Sequence, residues 1–162
     1  MGNTIIVYFS LDGNVAFLAE KIAEKLSCKT HRLETVKEYP KAGLAKYFHG
    51  GKDASFGAKP ELKNNLTDIS DYSHIIIGTP VWAGKPCAPL NTFFDKIDFQ
   101  NKDVSIFTSC SGGSSDKCVT ILKKIIAKRN GKFNAQVSFV NPLRNESSAA
   151  YLIENFCKKI MG

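Results

Sequence analysis

Three short apolar runs constrain this chain most: Ile5-Ile6-Val7-Tyr8-Phe9, Ile75-Ile76-Ile77 and Val104-Ser105-Ile106-Phe107. Each has strand length and is rich in β-branched or aromatic residues. Each is followed by a loop of small residues and then a helical pattern. A strand that is apolar at successive positions has no wet face. Both faces must be covered, as in a parallel sheet with helices on either side. The strands are expected at Thr4–Phe9, His74–Gly78 and Val104–Thr108, with a more polar edge strand at Lys29–Leu33 and a fifth at Val137–Val140. Helical periodicity fits residues 14–27, 87–97, 114–129 and 146–160. Alternating strands and helices imply a doubly wound α/β sheet. At 162 residues the chain is read as a single domain, 1–162, long enough for a substantial core.

Composition removes several function classes. No apolar run approaches the roughly 18 residues of a membrane span, so no membrane role is expected. The start, Met1-Gly2-Asn3-Thr4, lacks a basic leader pattern, and Ile6 stands where a myristoylation signal needs Ser or Thr. The five cysteines, Cys28, Cys87, Cys110, Cys118 and Cys157, are odd in number and widely spaced, and no Cys/His cluster is present. They read as reduced thiols in a cytoplasmic protein, with no metal site. The net charge is +7. Its densest group, Lys123, Lys124, Lys128, Arg129 and Lys132, reads as a solvated helix face. No recognition helix or RNA-binding motif accompanies it, so no nucleic acid is expected.

Parallel strands bring their carboxyl ends to one edge, and ligands bind there at the topological switch point. Three loops share that edge. The first, Ser10-Leu11-Asp12-Gly13-Asn14-Val15, opens a helix, where free amides and the helix dipole favour an anion. The second, Thr79-Pro80-Val81-Trp82-Ala83-Gly84-Lys85-Pro86, holds the only tryptophan. The third is Ser109-Cys110-Ser111-Gly112-Gly113-Ser114-Ser115-Asp116. Together they suit a flat ring carrying a phosphate tail. Other motifs fail. There is no G-x-G-x-x-G. The run from Gly78 to Lys85 has its glycines one residue too far apart for a Walker A loop, and Pro86 stands where Ser or Thr is required. Cys110 has no arginine in its loop, unlike a cysteine phosphatase. No nucleophile elbow or paired carboxylates occur, so no catalytic residue is assigned.

At these residues the chain resembles the flavodoxin family. The resemblance is carried by Tyr8 to Asn14, Ile77 to Gly84 and Ser109 to Gly113. The run Gly50-Gly51-Lys52-Asp53-Ala54, with Lys59-Pro60-Glu61-Leu62, resembles a branch of short bacterial flavodoxin-like proteins. It implies a flavodoxin-like three-layer α/β/α sandwich with a five-stranded parallel sheet of order 2-1-3-4-5 and FMN at its carboxyl edge. Ser10, Leu11, Asp12, Gly13, Asn14 and Val15 would then hold the ribityl phosphate. Pro80, Val81, Trp82, Ala83 and Gly84 would flank the isoalloxazine ring with Ser109, Cys110, Ser111, Gly112 and Gly113. Trp82 keeps a second reading as a core or lid residue, and Cys110 one as a packed thiol.

The pattern departs from the family at two places. Hydroxyl residues commonly stand at the positions of Asp12 and Val15. A carboxylate about 5 Å from a phosphate dianion costs roughly 2–7 kcal/mol at an effective dielectric of 20 to 80. Turned outward, Asp12 would simply serve the turn. The expected function is therefore an FMN-dependent redox protein, serving a partner protein or a small-molecule acceptor with NAD(P)H as reductant. The alternative is a flavodoxin-like domain with weak or lost FMN binding that regulates or interacts. Familiar flavodoxins are acidic and this chain is basic, which implies different partners. The segment 36–65, with four glycines and the aromatics Tyr39, Tyr47, Phe48 and Phe56, is read as a cofactor cover or a surface for a homodimer.

Overall fold

The computed structural model describes residues 3–40 and 43–162. The chain start read for a leader, and Lys41-Ala42 of the 36–65 segment, lie outside the described residues, as do the side chains of Tyr47 and Phe48. Five parallel strands form the sheet: β1 (Thr4–Tyr8), β2 (Lys29–Arg32), β3 (His74–Trp82), β5 (Asp103–Cys110) and β6 (Lys132–Val140). Their order is β2-β1-β3-β5-β6. This is the expected 2-1-3-4-5 topology; the numbering shifts because a short strand, β4 (Lys85–Pro86), pairs antiparallel with the end of β3.

The apolar runs divide their side chains as a strand must. Ile5, Val7, Ile75, Ile77, Val104 and Ile106 face one side, where helices α3 (Ala88–Lys96) and α4 (Asp116–Lys128) cover them with Leu90, Phe93, Cys118 and Leu122. Ile6, Tyr8, Ile76 and Phe107 face the other, under α1 (Asn14–Leu26) and α5 (Glu146–Met161). Leu18, Ile22, Phe93 and Phe156 are fully or almost fully buried. Each such side chain contributes about 1.5–3 kcal/mol of transfer free energy.

Three strands run further than the pattern indicates, β5 by one residue at its start and two at its end. The third strand is expected to stop at Gly78 but continues to Trp82. Thr79 and Pro80 still pair with Thr108 and Ser109 of β5, while the pairing with β1 ends at Tyr8 opposite Gly78. Past that point one side of β3 is an edge, where proline's missing N–H costs no ladder bond. The fifth expected strand starts five residues early, at Lys132, as an edge strand with exposed polar positions and a bulge opposite Val104–Ile106. The 36–65 segment contains α2 (Gly43–Ser55).

Candidate functional site

The ends of β1, β3 and β5 converge on a cleft of about 100 Å³. Asp12 and Asn14 line it from the first loop, Pro80, Val81, Trp82 and Ala83 from the second, and Ser109, Cys110 and Ser111 from the third. Thus the structure brings together residues from all three loops singled out by sequence. Of the other expected site residues, Ser10, Leu11, Gly13, Val15, Gly84, Gly112 and Gly113 lie on the same loops but do not line the cleft itself.

Loop one is built as a helix start. Gly13, at φ +92°, occupies the N-cap of α1 in the left-handed region that favours glycine. The Ala16 amide donates to Ser10 Oγ at 3.1 Å, which anchors the first turn. The Asn14 amide donates to Asp12 Oδ1 at 3.4 Å, a long bond across a tight turn. Asn14 Oδ1 accepts from the Leu143 amide at 3.4 Å, tying the loop to the segment before α5. Arg32 Nη2 donates to the Ser10 carbonyl at 2.9 Å. Asp12 is exposed at the rim. Val15 is 0% exposed and packs in the core with Leu18 and Ile22. Its side chain offers nothing to a ligand; only its amide, at the helix N-terminus, is placed to do so. Leu11 packs toward the opposite core cluster.

Loop two is a β-hairpin. Trp82 pairs with Lys85, and the two turn residues Ala83 and Gly84 have φ of +50° and +73°. Positive φ at both positions is what a type I′ turn requires. The Cys87 amide donates to the buried Thr79 Oγ1 at 3.1 Å and Thr79 donates to the Pro80 carbonyl at 2.8 Å, fastening the hairpin to the start of α3. Burial pushes the Cys87 thiol up to about 12 and holds it neutral.

Trp82 belongs to an aromatic cluster. Its ring meets Tyr39 at 5.0 Å and Phe9 at 5.6 Å, both edge to face. Such pairs add roughly 0.5–1.5 kcal/mol each beyond burial. Helix α2 closes over this cluster. A Cβ at Gly50 would sit 3.1 Å from the indole, so only glycine lets the helix approach freely. Tyr39 Oη donates to Asp53 Oδ2 at 3.0 Å. Burial and then this carboxylate bond push the Tyr39 phenol well above its ordinary range. Next to Gly50, Gly51 reaches the cleft wall. Sequence reasoning missed Gly51 as a site residue, although the Gly50-Gly51 pair in the middle of a helical stretch was a signal of close approach.

Loop three is held from behind. Asn141 Nδ2 donates to the Ser111 carbonyl at 2.9 Å, and the Asn141 amide to the Cys110 carbonyl at 3.0 Å. Cys110 is buried, its thiol 3.6 Å from the Phe139 carbonyl. Gly112 and Gly113 stand in open space, with nothing within 4 Å of a Cβ placed on either. The Ser115 hydroxyl that follows is buried without a hydrogen-bond partner among the described residues. No group of three or more His, Cys, Asp or Glu among the described residues is arranged to hold a metal. No described helix is long and apolar enough to cross a membrane.

A doubly wound parallel sheet with three loops meeting at its switch point is an architecture in which ligands bind outside the carboxyl ends of the strands. The sequence profile of the family named Flavodoxin matches residues 3–138. The chain belongs to the flavodoxin family. Solved structures agree on the fold. A flavoprotein from Lactobacillus acidophilus, in complex with FMN, is 21% identical, with a TM-score of 0.73 over 91% of this chain and 99% of that one. A flavodoxin from Fusobacterium nucleatum, bound to flavin mononucleotide, is 16% identical, with a TM-score of 0.63 over 99% and 98%. Oxidised flavodoxin 1 from Bacillus cereus is 16% identical, with a TM-score of 0.58 over 96% and 97%.

Proposed function

We propose that this chain binds FMN at the switch-point cleft and works as an FMN-dependent redox protein. The observation that carries the reading is the convergence of all three loops on one cleft in a chain of the flavodoxin family. The residues fit the group. Loop one offers amides at the α1 N-terminus for a phosphate. The hairpin tip and the open Gly112-Gly113 loop offer backbone to a flat ring. At about 100 Å³ the cleft is smaller than the roughly 300 Å³ of an ordinary enclosed ligand site, so a bound ring would stand partly outside it. Once bound, FMN supplies one- and two-electron transfer.

The chain's own part is to bind and to tune. Trp82, fixed by Phe9, Tyr39 and α2, makes one wall rigid. The hairpin backbone can favour one redox state by what it presents to the ring. Among the residues lining the cleft, Asp12 and Cys110 alone carry an ionisable side chain, and Asp12 lies at the rim. That favours electron transfer over acid–base chemistry. The acceptor is then a partner protein or a small molecule. The five free thiols suit a reducing, cytoplasmic setting. Two observations favour the second reading, a regulatory or interaction domain with weakened FMN binding: Val15 is buried in the core, and the Asp12 carboxylate stands at the exposed rim of the cleft.

The test is titration of purified protein with FMN, followed by fluorescence quenching and by the absorption spectrum. Stoichiometric quenching at micromolar concentration or below is expected. A colourless protein that leaves FMN fluorescence unchanged at tens of micromolar overturns the proposal in favour of the second reading.

A further inference from the structure

The lysines of α4 are not spread around the helix. Lys117, Lys124 and Lys128 fall within a narrow arc at about 100° per residue, and all three are exposed. None forms an ion pair among the described residues, whereas Lys132 pairs with Asp103 at 3.7 Å and Lys123 lies over the Phe133 ring at 4.4 Å. Asp116 is the sole acidic residue of α4. The stripe is about 16 Å long at 1.5 Å per residue.

Its near end stands at the cleft. The Lys117 side chain passes the hairpin tip so closely that a Cβ on Gly84 would meet Lys117 Cδ at 3.4 Å. Gly84 follows Ala83, which lines the cleft, and α4 begins directly after loop three. We propose that the Lys117–Lys124–Lys128 stripe is the docking surface for an acidic electron-transfer protein, and that it seats the partner's redox centre against the cleft. The proposal rests on the FMN reading above.

Exposed cations with no ion pair among the described residues have none to break when they meet carboxylates, and they steer the encounter. A standard interface covers about 800 Å² on each partner, a disc roughly 30 Å across. A partner centred on a 16 Å stripe that starts at the cleft wall therefore also covers the cleft mouth. Three lysines in a row with no stacking aromatic among them do not make a single-strand nucleic-acid groove. The transfer balances simply: each reduced one-electron carrier is oxidised by one electron, and two carriers with protons from water complete the reduction of one flavin.

The probe is an acidic two-iron ferredoxin, reduced with dithionite and freed of excess reductant. Stopped-flow reduction of the FMN-loaded protein is expected to slow at least tenfold between about 20 and 300 mM salt. The variant K117E/K124E/K128E should lose at least tenfold in rate at low salt. Its flavin content and its reduction by dithionite should be unchanged, and a control reversal on α1 and α5, K21E/K159E, should change the rate less than twofold. Equal loss in both variants, or none in either, overturns the docking surface. So does a stripe that binds duplex DNA or anionic vesicles while the ferredoxin rate ignores the reversal. Low-salt binding of the ferredoxin to immobilised protein is read separately. If flavin fails to load, the FMN reading falls, and binding lost in the α4 variant alone still supports the surface, while binding unchanged overturns it.

Discussion

Replacing Gly78 by Ala tests how the central strand supports the site. Gly78 lies in β3 between Tyr8 of β1 and Phe107 of β5. The Phe107 ring folds across the space a side chain would fill. A Cβ there would lie 2.2 Å from Phe107 Cζ, and 2.7 and 2.8 Å from the two Cε atoms. Carbon atoms rest at about 3.5–4.0 Å, so the ring must retreat by more than about 1 Å. Phe107 is 0% exposed and packed among Ile76, Phe139 and α1. Close-packed interiors give way poorly. Overpacking costs of this kind run to about 3 kcal/mol or more, and alanine's better strand entropy returns about 0.5–1. The expected net loss is about 2–3 kcal/mol. For a chain of this size that is about 5–10 °C in Tm. Urea and thermal unfolding of the flavin-free protein measure it, with the urea m-value unchanged. Phe107→Leu removes the ring from the contested space, so the double variant should recover at least about 1 kcal/mol relative to additivity. A Gly78→Ala variant within about 0.5 kcal/mol of the parent, or strictly additive behaviour, refutes the packing argument.

Asp12→Asn should tighten FMN binding by about 5- to 30-fold at low salt, because an exposed rim carboxylate several ångströms from a phosphate costs roughly 1–2 kcal/mol in a water-like dielectric; the gain should shrink in 0.5 M salt. Val15→Thr should bring no such gain and should lower stability by about 1–3 kcal/mol, since its hydroxyl enters a fully buried site; tightening equal to that of Asp12→Asn would refute the placement of Val15. His74 is buried, with Nε2 at 2.9 Å from Ser105 Oγ, and burial lowers its pKa below the ordinary 6.5 while Asp103 partly offsets the effect. The unfolded chain therefore binds the proton more tightly, and stability should fall as pH drops through about 6.5 toward the lower folded value. Urea unfolding at pH 7.5, 6.5 and 5.5 should show this slope flattened in His74→Gln, and an identical slope would count against it.

The four expected helices and the central strands were legible because burial leaves a periodic pattern, and Ile5 to Phe9 and Ile75 to Ile77 admit no solvent side; the order of the sheet came only with the family resemblance. Edges were less legible. Lys132 to Gln136 forms half of β6 with mostly exposed or half-buried polar side chains, and its strand character comes from pairing with Asp103 and Val104, a partner far away in sequence. Pro80 read as a loop residue because propensity does not know that β3 has outrun β1 at that point. Helix α2 was obscured by Gly43, Gly50 and Gly51, each costing a helix about 1 kcal/mol relative to alanine. At Gly50 the cost is offset by contact, since a Cβ there would stand 3.1 Å from the Trp82 ring and would push the two apart by a few tenths of an ångström. The three loops that line the cleft could be placed together from sequence because parallel strands bring their carboxyl ends to one edge. Which side of each residue meets the cleft was not legible, because the orientation of Asp12, in the loop before α1, and of Val15, on the core side of its first turn, is set by tertiary packing.

That orientation changes where affinity for a ligand must come from. In loop one the Ser10 hydroxyl already accepts the Ala16 amide, Asn14 Oδ1 accepts from Leu143, and Val15 is committed to the core. What remains for an anion is the Ser10 O–H as a donor, the backbone, the Asn14 amide group and the helix dipole, opposed by Asp12. The wall formed by Trp82 and the approach of Gly51 are therefore more than shelter. They depend on α2 lying flat against the indole, held by Gly50, by the bond from Tyr39 to Asp53, and by Lys85 Nζ donating to the Ser55 carbonyl at 3.0 Å. Lys85 belongs to the same hairpin whose tip meets Lys117. The hairpin thus couples three surfaces: the cover through Lys85, the cleft through Ala83, and the basic stripe through Gly84. On the proposed FMN reading, a cradle with few side-chain donors leaves more of the task of holding a ring to this hairpin, and a partner seated on the stripe would press on the same element.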